Sequence, residues 1–252
     1  TGILPYLVAL GIVAVLLMLE PHLSCTILIG LIGMTLIWVG GARPRHFLIL
    51  IVAAIIAVLA IVLFLSVYEG YDYIQVRLQS WLDPFADSQG GTWQTCQSLI
   101  AIGSGGLFGL GLGESRQKFL YLPETKNDFV FSIVCEELGF VGALTVVLLF
   151  ALLVFRGFRI ATQAPDKFGM LLAVGFTMHI GLQAFLNIAV VSNLVPNTGI
   201  SLPFFSYGGT ALILQLAEMG VVMNISRARY KSPSYVSGRR KKAVAAEIQT
   251  QE

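Results

Sequence analysis

A single carboxylate, Asp128, stands at the threshold of a long apolar run that begins at Phe129. A carboxylate at a membrane surface is partly desolvated, which makes it a stronger base than it is in water. Asp128 could therefore take a proton from a substrate hydroxyl. Aspartate is also a favoured helix N-cap, and Asn127 could fill that position equally well. The residues alone leave catalysis and helix capping open.

Three further carboxylates, Glu136, Glu137 and Glu218, lie inside apolar runs. At 1.5 Å per residue, the first two lie about 12 Å further along a helix than Asp128. A charge at that depth is costly and usually faces the bundle interior or water. Two interpretations compete: polar contacts that fix helix packing, or groups that line a path for a substrate. Packing is favoured for Glu137, and the roles of Glu136 and Glu218 stay open.

The composition identifies the surroundings of these carboxylates. Of 252 residues, 56% are hydrophobic and 12% are charged, and the mean hydropathy is +0.80. A soluble domain would need a larger polar surface, whereas a bilayer helix needs about 20 mostly apolar residues. The chain is therefore predicted to be an all-α, polytopic transmembrane helix bundle. About six spans are expected: Ile3–Leu19, Leu23–Gly40, Phe47–Val67, Phe129–Phe155, Phe168–Val191 and Thr210–Ile225.

The basic residues orient this bundle. Most of the 16 Lys and Arg residues fall in segments that share a side with the C-terminal tail. The positive-inside rule then places the tail in the cytoplasm and the long loop between spans three and four outside. We expect a transmembrane domain over residues 1–228, with its outer loop at 69–128, and a basic cytoplasmic tail over 229–252. Because the chain begins with Thr1, it is expected to be the C-terminal part of a longer protein.

The outer loop is too long for a simple connector. Its stretch "IQVRLQSWLDPF" predicts a short amphipathic helix at the membrane surface that ends before Pro84. The glycines of "GSGGLFGLGLG" do not have the spacing of a G-x-G-x-x-G nucleotide motif, so a nucleotide site is not favoured. A re-entrant or interfacial stretch whose backbone packs closely against neighbouring helices is the favoured interpretation.

The loop after span five, "SNLVPNTGISLPFFSYGGT", cannot be a continuous helix, because Pro196 and Pro203 interrupt it. A tight helix-to-helix turn is one interpretation. The loop is longer than such a turn requires, however, and it carries Asn197, Ser206 and Tyr207 among apolar residues. This mixture is typical of the polar-lined mouth of a cavity.

Two stretches, "LPETKNDFVFSIVCEELGF" and "PNTGISLPFFSYGGT", occur in this order and together resemble the SEDS family (shape, elongation, division and sporulation) of FtsW, RodA and SpoVE. The resemblance implies a peptidoglycan glycosyltransferase of about ten helices that polymerises lipid II beside a class B penicillin-binding protein. It makes the Asp of the "DF.F" motif, Asp128, the catalytic carboxylate. It also implies a bacterial cytoplasmic membrane location and other division or sporulation membrane proteins as partners. Nucleic acid and an organic cofactor are not expected, and Mg or Mn is a candidate cation with unknown ligands.

The resemblance and the chemistry together define an expected substrate site. Transfer from a lipid pyrophosphate needs a base and cations that hold the leaving group. Substrate contacts are expected from Arg116, Lys118, Glu124, Lys126, Asn197, Ser206 and Tyr207.

The chain also departs from the family pattern. "EPHLSCT" replaces the family's "QPDLGT", so His22 stands for an Asp and Ser24 for a Gly, and Asn127 replaces a Thr.

Two rival functions stay open from the sequence. A lipid II flippase would use the buried glutamates to line its route, and a non-catalytic division scaffold would need none of the carboxylates. The sequence does not separate a role in division from one in sporulation.

Overall fold

The structure is a computed structural model that describes residues 4–19, 23–43, 45, 47–48, 51–52, 71–87, 90–120 and 127–231. Every regular element in these ranges is a helix, which confirms the predicted all-α class. The third predicted span, Phe47–Val67, falls almost entirely outside the described residues, as does most of the predicted tail. The described elements are α1 (Leu4–Leu19), α2 (Leu23–Val39), α3 (Tyr71–Leu82), α4 (Trp93–Ser104), α5 (Gln117–Leu120), α6 (Val130–Ala161), α7 (Lys167–Val191) and α8 (Gly209–Lys231).

Helices α6, α7 and α8 are long and apolar enough to cross a membrane, and α1 and α2 are apolar but shorter. These five helices coincide with predicted spans one, two, four, five and six. The predicted ends were wrong for two of them, because α6 continues to Ala161 and α8 to Lys231. The surface helix predicted to end before Pro84 is α3, which ends at Leu82.

Helix α6 is interrupted at Gly139, where φ is 65° and ψ is −166°. The glycine-rich loop after α4 pairs with this break through its backbone. The N–H groups of Leu110 and Gly111 donate to the carbonyls of Glu136 and Glu137 at 2.9 and 3.1 Å. Two backbone hydrogen bonds run the other way, from helix to loop, at 2.9 and 3.2 Å. The close backbone packing predicted for this loop is therefore confirmed.

The core lies where α6 and α7 pack together and α4 closes against them. Buried Phe131 of α6 and Ile180 of α7 belong to one apolar cluster with Leu202, a residue of the loop between α7 and α8. Helix α2 packs on α7, and so does α8. Because Leu202 is buried in this cluster, the loop between α7 and α8 is seated on the core beside the start of α6.

Candidate active site

Asp128 lies in the turn 127–129 that leads into α6, and its side chain is partly buried. The N-cap position of α6 is occupied by Phe129, and this cap has no side-chain hydrogen bond. The capping interpretation is therefore wrong for Asp128 and for Asn127, since both precede the cap. The turn leaves Asp128 beside the helix start rather than inside the first helical turn.

The main chain of this turn is fixed by side chains from elsewhere in the fold. Asn187 of α7 is fully buried, and its Nδ2 donates to the carbonyl of Asp128 at 2.6 Å and to that of Ile200 at 2.7 Å. The hydroxyl of Ser206 donates to the carbonyl of Asn127 at 2.7 Å. Together these bonds tie the turn to the loop between α7 and α8, hereafter the site loop (residues 192–208).

The site loop passes close to the carboxylate of Asp128 at Gly199. A Cβ atom built on Gly199 would lie 3.5 Å from Oδ2 of Asp128, and the φ of Gly199 is 66°. Glycine adopts this left-handed conformation without steric cost. The sequence therefore brings the predicted catalytic carboxylate against the backbone of the predicted polar loop.

Helices α3 and α4 hold Asn197 of the site loop through hydrogen bonds. Arg77 of α3 donates to the carbonyl of Asn197 at 2.6 Å, and Nδ2 of Asn197 donates to Oε1 of Gln94 in α4 at 3.2 Å. Oδ1 of Asn197 accepts the N–H of Gly199 at 3.3 Å. The side chain of Asn197, predicted to contact substrate, thus holds the loop in its folded shape.

Ser24, one of the departures from the family motif, reaches the same loop from α2. Its hydroxyl donates to the carbonyl of Thr198 at 2.7 Å. The glycine that the resemblance implies at this position would have no hydroxyl to make this bond. The substitution therefore adds a contact at the site, next to the glycine that faces Asp128.

The loop side chain most available to a substrate is Tyr207, which is 84% exposed. It follows directly after Ser206, whose hydroxyl is bound to the turn of Asp128. The ring and the hydroxyl of Tyr207 are thus accessible from outside the protein. The substrate contact expected of Tyr207 stays a prediction.

Glu136 has a structural role that the sequence left open. Its side chain is 1% exposed and accepts hydrogen bonds from the hydroxyl of Ser115 at 2.5 Å, the N–H of Arg116 at 3.0 Å and the N–H of Gln117 at 3.4 Å. The Ser115 hydroxyl in turn accepts the N–H of Lys118 at 3.1 Å. One buried carboxylate thereby fixes the segment that carries two of the predicted pyrophosphate contacts.

Of the three basic residues predicted to contact pyrophosphate, the structure describes Arg116 and Lys118. Arg116 is exposed, whereas Nζ of Lys118 lies 3.8 Å from Oε1 of Glu137. This ion pair agrees with the packing role favoured for Glu137. Glu124 and Lys126 lie outside the described residues.

Glu218 lies on α8 and pairs with His179 on α7. Nδ1 of His179 is 3.0 Å from both carboxylate oxygens. With a proton on Nδ1, His179 donates to this carboxylate. Glu218 is therefore part of the packing between the two helices.

Several residues that build the site were not predicted from the sequence, above all Asn187, Arg77 and Gln94. Asn187 carried a usable signal, because it is a polar residue within the apolar run "FLNIAVV". Arg77 and Gln94 carried none, because polar residues are expected throughout a surface loop. The structure shows that both residues bond to Asn197.

The chain matches the family described as "Cell cycle protein", of FtsW, RodA and SpoVE, over residues 1–231. Stage V sporulation protein E of Bacillus subtilis is 46% identical over 227 residues, which cover 88% of this chain and 60% of that protein. The probable peptidoglycan glycosyltransferase FtsW of Geobacter sulfurreducens is 40% identical over 226 residues, which cover 90% of this chain and 59% of the relative. The chain thus spans about 60% of the length of these relatives.

Two solved structures are similar to the fold. One is a chain from a study of how a peptidoglycan synthase complex coordinates polymerization and crosslinking, with a TM-score of 0.68 and 31% identity over 87% of this chain and 60% of that chain. The other is the rod shape determining protein RodA of Thermus thermophilus, with a TM-score of 0.54 and 30% identity over 86% of this chain and 54% of that one. Family match, sequence identity and fold agree: this multi-pass membrane chain belongs to the FtsW, RodA and SpoVE family.

Proposed function

We propose that the protein is a peptidoglycan glycosyltransferase that joins lipid II disaccharides into β-1,4-linked glycan. The observation that carries this proposal is the position of Asp128, beside Gly199 of the site loop and tied to that loop through Asn187. The names of the relatives, among them a probable peptidoglycan glycosyltransferase, support the same chemistry. The two main-chain anchors of this turn, Asn187 on Asp128 and Ser206 on Asn127, suit a group that must meet a substrate in one orientation.

In the proposed reaction Asp128 is the general base. It takes the proton from the hydroxyl of the acceptor sugar as the hydroxyl oxygen bonds to the anomeric carbon of the donor. The bond from that carbon to the lipid pyrophosphate breaks with inversion, and undecaprenyl pyrophosphate leaves. Because the donor carries this activated bond, the reaction needs no organic cofactor.

The departing pyrophosphate needs positive charge near it. Arg116, Lys118 and Lys126 are the proposed contacts, and the anchoring of the Ser115–Lys118 segment by Glu136 supports the first two. Ser206 and Tyr207 of the site loop and Glu124 are the proposed contacts to the sugars. Tyr207 is supported by its exposure beside the Asp128 turn.

A divalent cation, Mg or Mn, fits this site if one carboxylate, the substrate phosphates and water hold it together. The described residues include no cluster of three or more His, Cys, Asp or Glu side chains that could hold a metal ion. Mg²⁺, however, is commonly held by one or two carboxylates together with substrate phosphates and water. Asp128 would be the carboxylate ligand, and a bound cation would neutralise charge on the pyrophosphate.

We further propose a class B penicillin-binding protein as the partner that crosslinks the product. The similarity to a chain of a peptidoglycan synthase complex supports this partnership. The proposed location is the bacterial cytoplasmic membrane, and the basic C-terminal segment favours a cytoplasmic tail. Other division or sporulation membrane proteins complete the proposed assembly, and the relatives include proteins of both kinds.

The rival functions receive less support. A flippase that used Glu136 and Glu218 would need them to face a lipid route, but Glu136 binds the Ser115–Gln117 segment and Glu218 binds His179. A scaffold needs no anchored carboxylate at a loop-lined site. The test is the polymerisation of purified lipid II by the intact protein in membranes or detergent. Glycan formed by the wild type and lost in Asp128→Asn supports the enzyme, and glycan formed equally by both removes Asp128 from its role.

A further inference from the structure

Helix α7 carries a polar stripe that the proposed reaction does not use directly. His179, Gln183 and Asn187 are four residues apart, so they share one face of the helix. Asn187, at one end, holds the main chain of Asp128. His179, at the other end, lies about 18 Å along α7 from its first residue, Lys167, at 1.5 Å per residue. The stripe therefore runs from the middle of a membrane helix to the candidate site.

The middle of the stripe connects α8 with the site loop. Gln215 of α8 donates to Oε1 of Gln183 at 3.5 Å, and Oε1 of Gln215 accepts the N–H of Phe204 at 2.9 Å. Nε2 of Gln183 donates to the hydroxyl of Ser201 at 3.3 Å. Two glutamines from two helices thus hold two residues of the site loop.

Phe204 depends on this support. Its φ is 65°, in the left-handed region that is sterically unfavourable for a residue other than glycine. Such a conformation persists when the surrounding structure determines it. The hydrogen bond to Gln215 satisfies the N–H of Phe204 in that conformation, two residues before Ser206 binds the turn of Asp128.

The His179–Glu218 pair lies one helical turn from the two glutamines on both helices. His179 precedes Gln183 by four residues, and Glu218 follows Gln215 by three. A rotation or slide of α8 against α7 would therefore separate both pairs together. An ionisable side chain within a membrane helix is costly when it has no partner. This cost gives α8 a strong preference for the position in which Glu218 meets His179.

We propose that His179 and Glu218 are positioning residues, whose pairing sets α8 on α7 so that Gln215 holds Phe204 and the site loop beside Asp128. The expected change in substrate binding rests on the proposed function. The positions of α8 and the site loop rest on the contacts alone. Loss of the pair loosens the loop that carries Ser206 and Tyr207, and leaves Asp128 on its Asn187 anchor. The expected consequence is weaker substrate binding rather than a lost chemical step.

The test compares three variants of the intact protein in nanodiscs. Glu218→Leu removes the acceptor and puts an apolar side chain of similar size in its place. Because it leaves His179 without its partner, which is destabilising, the yield of monodisperse protein is measured as well, to show that the variant folds. Glu218→Gln keeps one oxygen acceptor for His179. Leu216→Ala alters an exposed residue of α8 that belongs neither to the His179–Glu218 pair nor to the Gln183–Gln215 pair, and it serves as the matched control.

Hydrogen exchange of peptides over residues 201–208 and lipid II kinetics are measured for each variant. Glu218→Leu is expected to speed the exchange and to raise KM about tenfold, the size of losing a hydrogen bond to a charged group, with kcat nearly unchanged. Glu218→Gln is expected to restore both quantities most of the way, and Leu216→Ala to change neither.

Wild-type exchange and KM in Glu218→Leu would overturn the inference, as would equal effects in Leu216→Ala. An inactive wild type would instead count against the proposed function, while the exchange data would still decide the positioning role.

Discussion

Asn187 donates one amide hydrogen to the carbonyl of Asp128 and the other to the carbonyl of Ile200, at 2.6 and 2.7 Å. A single buried side chain thus joins the turn before α6 to the site loop. Neither carbonyl could be satisfied by an apolar side chain at position 187. The separation between the carboxylate turn and the loop is therefore set from α7.

The first prediction concerns this bridge. Asn187→Leu leaves the carbonyls of Asp128 and Ile200 without their donor and is expected to lower the free energy of unfolding by about 3 kcal/mol. Glycan polymerisation should fall as well, because Asp128 loses its main-chain anchor. Unfolding in detergent and lipid II turnover measure the two effects. Asn224→Ala, on an exposed position of α8, is the control, and equal losses in both variants would contradict the bridge.

The second prediction concerns the anchor of the basic segment. Glu136→Gln replaces an acceptor oxygen by an amide donor that faces other donors, and should destabilise the protein by about 2 kcal/mol. Trypsin should then cleave faster after Arg116 and Lys118, because their segment loses its attachment. Glu137→Gln removes one 3.8 Å ion pair to a partly exposed lysine and should cost less than about 1 kcal/mol. Cleavage unchanged by Glu136→Gln would show that the segment is held by other contacts.

The third prediction concerns the break in α6. A Cβ at Gly139 would overlap the backbone of Gly109 and Leu107, and the φ of 65° adds strain. Gly139→Ala should therefore prevent normal folding, with a loss above about 4 kcal/mol. Gly103→Ala has open space around its Cβ in the adjacent α4 and should stabilise the helix by about 1 kcal/mol. The yield of monodisperse protein measures how well each variant folds. A folded, active Gly139→Ala protein would refute the pairing of the glycine-rich loop with α6.

Some features of the fold could be predicted from the sequence and others could not. Apolar run length predicted the helices, because the bilayer requires it, and Pro84 predicted the end of α3. The glycines predicted close backbone packing, but not that α6 itself would break at Gly139. That break depends on pairing with a loop some 30 residues away, as the backbone hydrogen bonds show.

Long-range pairing also explains what the sequence left open at the site. Asp128 was identified by its position and its motif, whereas Glu136 was ambiguous because its partner segment lies about 20 residues earlier. Glu218 was ambiguous for the same reason, since His179 is 39 residues away in the chain. A polar residue in an apolar run indicates that it has a polar partner, but only the fold identifies that partner.

The fourth prediction concerns Ser24, where the chain departs from the family. Ser24→Gly restores the family residue and removes the hydrogen bond to the Thr198 carbonyl, at an expected cost of about 1 kcal/mol. Thr35→Ala on the same helix is the control, because among the described residues the Thr35 hydroxyl bonds to the carbonyl of Leu31, within α2 itself. Thermal unfolding of the two variants provides the comparison, and a Ser24→Gly protein as stable as the wild type would show that the contact contributes nothing.

The central claim is that Asp128 removes the proton from the acceptor sugar. The most direct measurement is the rate at which purified intact protein, reconstituted with lipid II, forms glycan with Asp128 or with Asn at this position. Asp166→Asn is the matched control, because Asp166 caps α7 and asparagine caps equally well. We expect Asp128→Asn to lower the rate by about a hundredfold or more, the usual contribution of a general base, and Asp166→Asn to keep it. Glycan synthesis by Asp128→Asn at the wild-type rate would contradict the account.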